Sequence, residues 1–252
     1  MRGRWVMGMF LAGQLAAGGP AAALVTVTYE KPGVQASSAT FSSLGVETFE
    51  GIKTGSGKTF TTDFGTGGAI KGKYRNVRID GANQYGSAGG TGQHAVTFST
   101  TGYTLDLSSK LDGGVTYFGY WLSALDRNNE VTLRSGGKDI FVFTPQAVLN
   151  AIGSDKAYYG NPNAPFVGRN KGETYSFVNF FSETPFDQIL FRQRTGSGGY
   201  ESDNHSVGQW IEQSGGMVPE PTTWVMLISG FGLVGVALRR KRRLAAAGIA
   251  GG

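Results

Sequence analysis

The densest polar cluster between the two ends of this 252-residue chain is Glu201-Ser202-Asp203-Asn204-His205, just after a glycine-rich turn. Glu201, Asp203 and Asn204 carry hard oxygen donors of the kind that ligate Ca2+, so they form a candidate calcium site, although EF-hand spacing is absent. The competing reading is a β-turn and strand start in which short polar side chains hold the backbone. Apart from calcium, no cofactor is expected. A second cluster is Tyr158-Tyr159-Gly160-Asn161-Pro162-Asn163. Aromatic faces pack on sugar C–H surfaces and amides bond hydroxyls, which makes Tyr158, Tyr159, Asn161 and Asn163 candidate glycan contacts. An ordinary loop with buried tyrosines is the alternative.

Other chemistry needs groups that sequence does not bring together. A polysaccharide-active enzyme requires two carboxylates about 5–10 Å apart in a cleft. Asp126, Glu173, Asp187, Glu201 and Asp203 are the acids to watch. His94 and His205 are the only histidines, and neither lies in a hydrolase motif. A Ser-His-Asp triad is defined in space, not by spacing. Gly55-Ser56-Gly57-Lys58-Thr59 ends like a phosphate-binding loop, but Ile52 stands where the pattern requires glycine. Thr59–Phe64 then reads as a strand where that motif needs a helix. No catalytic residue is assigned, and the expectation is a non-enzymatic protein.

The elements that must position these groups are strands. Candidates are Leu24–Tyr29, Thr59–Phe64, Ala69–Ile79, Ala95–Thr100, Val115–Leu122, Glu130–Arg134, Asp139–Thr144, Thr174–Phe181, Phe186–Arg192 and Ser206–Glu212. Turn signals such as Gly67-Gly68, Asp112-Gly113-Gly114 and Gly136-Gly137 separate them. Short strands with frequent punctuation predict an all-β fold, a single antiparallel sandwich of jelly-roll type over residues 24–213, followed by a linker at 214–218. Glu130–Thr144 reads as one hairpin. Tyr117, Phe118, Tyr120 and Trp121 fall on both faces of one strand and read as core. Thr144 and Pro145 read as the cap and first residue of a short helix. Gly81–Gly92 is a glycine-rich loop.

Arg2 and Arg4, an apolar run from Trp5 to Leu15 and the small residues Ala21-Ala22-Ala23 read as a signal peptide over 1–23. The charge is concentrated at the ends: seven of the 23 Lys and Arg lie in the two terminal segments, leaving 16 against 17 acids between them. The basic pI of about 9.4 therefore gives no reason to expect nucleic acid as a partner. With no cysteine, the exported part must fold on its core without disulfides.

The C-terminal segment has three ordered parts. Pro219-Glu220-Pro221 with Trp224 forms an extended motif over 219–224. Residues 222–238 carry no charge and predict a short membrane helix of roughly 25 Å. Arg239, Arg240, Lys241, Arg242 and Arg243 form a basic stop that keeps that end, and the tail 244–252, in the cytoplasm. Gly230, Gly232 and Gly235 spell a dinucleotide-type motif without its strand or acidic partner, and read instead as a helix-packing face.

Together these parts resemble the PEP-CTERM sorting signal of Gram-negative bacteria, close to its PEPxxWA subtype, with Val225 in the usual alanine position. The resemblance implies an exosortase as partner, an inner-membrane stage before processing, and cleavage near Pro219-Glu220-Pro221. A plain membrane anchor that is never cut is the alternative. The Gly-Gly-Thr-Gly loop, residues 117–126, Gly160–Asn163, Phe177–Phe181 and Glu201–His205 also resemble a passenger domain common among exosortase-dependent surface proteins, which implies no particular activity. The expected role is a component of extracellular polysaccharide or biofilm matrix, displayed at or released from the envelope. A carbohydrate-binding module and a polysaccharide-active enzyme are the alternatives.

Overall fold

A computed structural model describes residues 24–217, apart from 197. The signal segment 1–23, the sorting motif 219–224, the span 222–238, the basic cluster 239–243 and the tail 244–252 lie outside the described residues. No helix among the described residues is long and apolar enough to cross a membrane.

The chain is all-β and its sheet is antiparallel. Its first strands are Val25–Tyr29 (β1), Thr40–Glu47 (β2), Gly55–Thr62 (β3), Ile70–Gly81 (β4), Gln93–Thr97 (β5) and Tyr103–Ser109 (β6). Tyr117–Ser123 (β7), Asn129–Ser135 (β8) and Lys138–Phe143 (β9) precede the one described α-helix, Gln146–Ile152 (α1). Ser176–Ser182 (β10), Gln188–Gln193 (β11), Tyr200–Glu212 (β12) and Gly216–Met217 (β13) complete the fold. Of the expected linker 214–218, Gly216 and Met217 pair with β1, and Ser214 is bound to Glu30 and Thr28.

All strands belong to one sheet, ordered β13-β1-β10-β7-β12-β5-β4-β6-β11-β8-β9, with β2 on β12 and β3 on β4. Two long strands let the sheet turn back on itself, so the layers expected as a sandwich are halves of one nearly closed sheet. In β4, residues 70–75 pair with β6 and residues 78–81 pair with β5. Asn76 sits at the break with φ 61°, a left-handed conformation that Asn tolerates better than most residues. Its side-chain amide donates to the Gly102 carbonyl at 3.0 Å. In β12 a bulge lies between Asp203 and Ser206, with Asn204 at φ 49°. Bulges bend and twist a strand in this way.

The facing halves share one core. Phe118 and Tyr120 of β7 and Phe180 of β10 meet Phe143 of β9 and Phe191 of β11. The Phe143–Phe180 centroids are 5.0 Å apart and the Phe118–Phe191 centroids 5.7 Å. Each ring so buried contributes on the order of 1.5–3 kcal/mol. Every residue of β7 and β10 is buried. Phe118, Tyr120 and Leu122 face the main core, whereas Trp121 and Phe177 form a second cluster with Ala124, Tyr175 and Ala88. The aromatics at 117–121 are thus core on both faces, as expected.

Three expectations are corrected. The polar cluster 201–205 is strand, not turn, because the Asn204 bulge lets β12 begin at Tyr200 instead of Ser206. Pro145, not Thr144, caps α1, and no side chain supplies the cap bond. Thr40–Glu47 and Tyr103–Ser109 are strands that the residue pattern did not signal. The phosphate-loop look-alike lies within β3, which starts at Gly55 and not at Thr59, and it is followed by no helix.

Candidate ligand-binding cleft

At one end of the sheet several connections converge around a cleft of about 890 Å3, within the usual range for small-ligand sites. Asp80 reaches it from β4 and Glu201 from β12. Tyr85 and Phe98 stand 44% and 49% exposed, from the segments after β4 and β5. The β7–β8 turn brings Asp126, α1 brings Gln146 and Asn150, and the approach to β10 brings Glu173 and Thr174.

Local bonding fixes these positions. Asp126 Oδ1 accepts the Asn128 amide at 2.9 Å and closes the β7–β8 turn. Thr174 bridges to Tyr159, and its carbonyl accepts the Leu125 amide at 2.9 Å. The Gln84 carbonyl accepts three donors: Asn161 Nδ2 at 3.0 Å, Asn170 Nδ2 at 2.7 Å and the Tyr175 hydroxyl at 2.8 Å. That knot ties the glycine-rich 81–92 segment to the 158–175 segment. Gly86 has no room for a side chain, because a Cβ there would strike the His94 ring.

The electrostatics are one-sided. Burial first, and then Asp126, Asp80 and Glu173, push Glu201 up to about 7, against the pull of its own backbone amide. Burial and then Asp126 raise Glu173 from the ordinary carboxylate value. Asp80 is paired with Arg78 at 2.8 Å, and the same guanidinium lies 5.4 Å above the Phe98 ring. Burial lowers His94 to about 4, so its imidazole is neutral at neutral pH. His94 Nδ1 bonds the Ser87 hydroxyl at 2.9 Å, while Nε2 is buried without a partner, as is Thr174 Oγ1.

The sequence-derived sites fare unequally. Of the four candidate glycan contacts only Tyr159 lines the cleft. Its hydroxyl donates to the Gly153 carbonyl at 2.7 Å. Tyr158 is buried and donates to the Glu30 carbonyl at 3.1 Å. Asn161 is buried against Gln84, and Asn163 accepts from Gln35. Of the candidate calcium ligands, Glu201 lines the cleft. Asp203 gives its oxygens to the amides of Ala88 and Asn204, both at 2.7 Å, and Asn204 donates to the Gln35 carbonyl at 3.1 Å. No group of three or more His, Cys, Asp or Glu that could hold a metal ion occurs among the described residues. Of the five acids considered for glycoside chemistry, Asp126, Glu173 and Glu201 share the cleft. Asp187 instead accepts the Gly136 amide. His205 contacts Ser202 at 3.0 Å, but both are wholly buried, out of reach of any substrate.

Outside the cleft, residues 218–243 match the PEP-CTERM protein-sorting motif. The chain carries a PEP-CTERM sorting motif. Such a motif implies export, surface destination and an exosortase as processing partner at the membrane. Among solved structures, the K2 cleaved adhesin domain of Lys-gingipain (Kgp) is similar over 67% of this chain and 99% of that one, at 16% identity and a TM-score of 0.38. No curated protein matches the chain.

Ahead of the PEP-CTERM motif, sequence reasoning missed Asp80, Tyr85, Phe98, Gln146 and Asn150, which come from segments far apart in the chain. One signal was legible: Tyr85 is a large aromatic set in the glycine-rich 81–92 loop, where no strand needs it for its core. Phe98 was hidden inside the expected strand Ala95–Thr100, which ends at Thr97.

Proposed function

We propose that the protein is exported by the signal peptide 1–23 and held in the inner membrane by 222–238 until an exosortase cuts near Pro219-Glu220-Pro221. The ectodomain is then displayed at, or released from, the envelope as a non-enzymatic matrix component that binds extracellular polysaccharide. The supporting observation for binding is the cleft, lined by the exposed rings of Tyr85 and Phe98 and by Gln146 and Asn150, where Gln146 Nε2 donates to Asn150 Oδ1 at 2.6 Å and the remaining amide groups are left for a ligand. Flat rings for sugar faces and amides for hydroxyls are what a glycan requires.

The acids of the cleft favour a second reading, a polysaccharide-active enzyme. Against it, the Glu201 carboxylate is turned onto the Gly199 backbone, where a Cβ would strike it. A general acid must reach the glycosidic oxygen. A glycan array with the exported protein tests the binding reading; no bound glycan overturns it, and shortened products in the bound fraction favour the enzyme. Intact mass from cells with and without the exosortase tests the sorting reading. A C-terminus near Pro219 only when the enzyme is present is expected, and an uncut tail in both strains would leave a plain anchor.

A further inference from the structure

The acids of the cleft are treated differently from acids elsewhere. Asp106, Asp139 and Glu130 are paired with Arg75, Arg134 and Arg192, each at 2.6 Å. Among the described residues, no lysine or arginine pairs with Asp126, Glu173 or Glu201. Their mutual repulsion contributes to the raised proton affinity of Glu201 and Glu173, and a positive charge entering the cleft would relieve it.

A second feature is independent of charge. Thr174 lines the cleft at 1% exposure, and its hydroxyl has no partner in the fold. His94, also 1% exposed and lining the cleft, leaves Nε2 unbonded. Nε2 is packed against Gly86 and is not offered to the cleft. The Thr174 hydroxyl remains, and because buried polar groups are nearly always hydrogen-bonded, it points to a ligand that supplies the missing bond. A bare metal ion would satisfy the charge but not the exposed rings, and the described residues contain no metal-binding group of acids and histidines.

Building on the glycan reading, we propose that the cleft takes an oligosaccharide of amino sugars with free ammonium groups. Asp126 and Glu173 receive the ammonium charge, Tyr85 and Phe98 stack on the sugar rings, and Thr174 bonds a hydroxyl. Acetylation of the amine removes the attraction. A uronic acid adds a fourth negative charge to the three unpaired acids and is rejected.

The test is calorimetry on the exported protein with three probes of equal length: a glucosamine oligomer, its N-acetylated counterpart and a uronic-acid oligomer. The glucosamine oligomer should bind about tenfold or more tighter than the other two, with the margin shrinking as salt rises. Asp126→Asn and Glu173→Gln, each checked for fold by circular dichroism, should bring the affinity for the glucosamine oligomer down to that for the acetylated probe. Equal binding of the acetylated and free-amine probes overturns the amine assignment while the glycan reading stands. Binding of none of the three overturns both. Binding that requires added Ca2+ and vanishes with chelator overturns the ammonium assignment in favour of a metal bridge.

Discussion

Two polar regions of this molecule are built from similar residues and do opposite things. In the core, His205 Nδ1 meets the Tyr74 hydroxyl, Nε2 meets Ser202 Oγ, and Ser202 meets the Tyr103 hydroxyl, each at 3.0 Å. Phe49, Phe118, Tyr120 and Phe191 surround the imidazole, with centroids 5.0–6.0 Å away. In the cleft, His94 has one hydroxyl partner and a second nitrogen packed bare against Gly86, Thr174 has no side-chain bond, and three acids lie without a lysine or arginine paired to them. The closed network lets a tightly packed aromatic interior contain polar atoms at small cost. The open one leaves bonds and charge unmatched where a ligand can enter. A histidine beside a serine is therefore no guide by itself; the useful distinction is whether every polar atom already has its partner.

The largest effect should follow from opening the closed network. His205→Ala leaves Tyr74 and Ser202 buried with lost partners and creates a cavity among the rings. We expect a loss of about 3–5 kcal/mol in denaturant unfolding. Glycan binding by the folded fraction should be unchanged. Glu173→Gln, in the half-exposed cleft wall, should shift stability by no more than about 0.5 kcal/mol. A loss of comparable size from both variants would break the comparison.

The two regions also oppose each other in pH. Burial drops His205 to about 3 from its ordinary 6.5, so between those values the unfolded chain holds a proton that the folded chain does not. Stability from this group is complete above pH 6.5 and falls as pH drops toward 3. Glu201 moves the other way, from 4.5 up to about 7. Asp80, Asp126 and Glu173 face it, and Arg127 and the neutral His94 also line the cleft. Between those values the folded chain holds the extra proton, so stability is greatest below pH 4.5 and declines as pH rises toward 7. Asp203, raised to about 7 mainly by burial, adds to the same decline. At about 1.4 kcal/mol per pH unit, the His205 shift amounts to about 5 kcal/mol and the Glu201 shift to about 3 kcal/mol. Glu201→Gln should flatten the decline toward neutral pH and leave the acid limb intact. Thermal unfolding of both proteins from pH 3 to 8 measures this, and an unchanged neutral limb in the variant would show that Glu201 is not its source.

Much of this contrast was hidden from the sequence, for a physical reason. Strands show themselves through side-chain alternation along a few residues, so most were located within a few positions. The core role of Tyr117, Phe118, Tyr120 and Trp121 was legible in the same way. The 201–205 cluster was misread because its polar residues resemble a turn, whereas Ser202 and His205 hydrogen-bond each other in the buried core. Whether Glu201 belongs with Asp203 or with Asp126 is decided by the Asn204 bulge and by the β7–β12 register. Neither leaves a local trace. Tyr158 and Asn161 looked like sugar contacts because aromatic and amide pairs suit both recognition and loop tethering; here the nearby Glu30 and Gln84 carbonyls claim them. The sorting motif, by contrast, is linear, and it was readable in full.

The finest test of the comparison is Thr174→Val, which keeps the shape of the side chain and removes one hydroxyl. In the closed network, the corresponding change, Ser202→Ala, takes a bond from both His205 and Tyr103 and should cost about 1–3 kcal/mol. Thr174 Oγ1 has no bond to lose and bears the penalty of an unmatched buried oxygen. Its removal should leave stability unchanged or raise it by up to about 1 kcal/mol. Glycan affinity should fall by roughly threefold to tenfold, the value of one neutral hydrogen bond. A stability gain accompanied by a loss of binding would show the orphaned hydroxyl to be held for a ligand. A stability loss would mean that the hydroxyl is bonded in the folded protein, and the division between closed and open regions would no longer hold at Thr174.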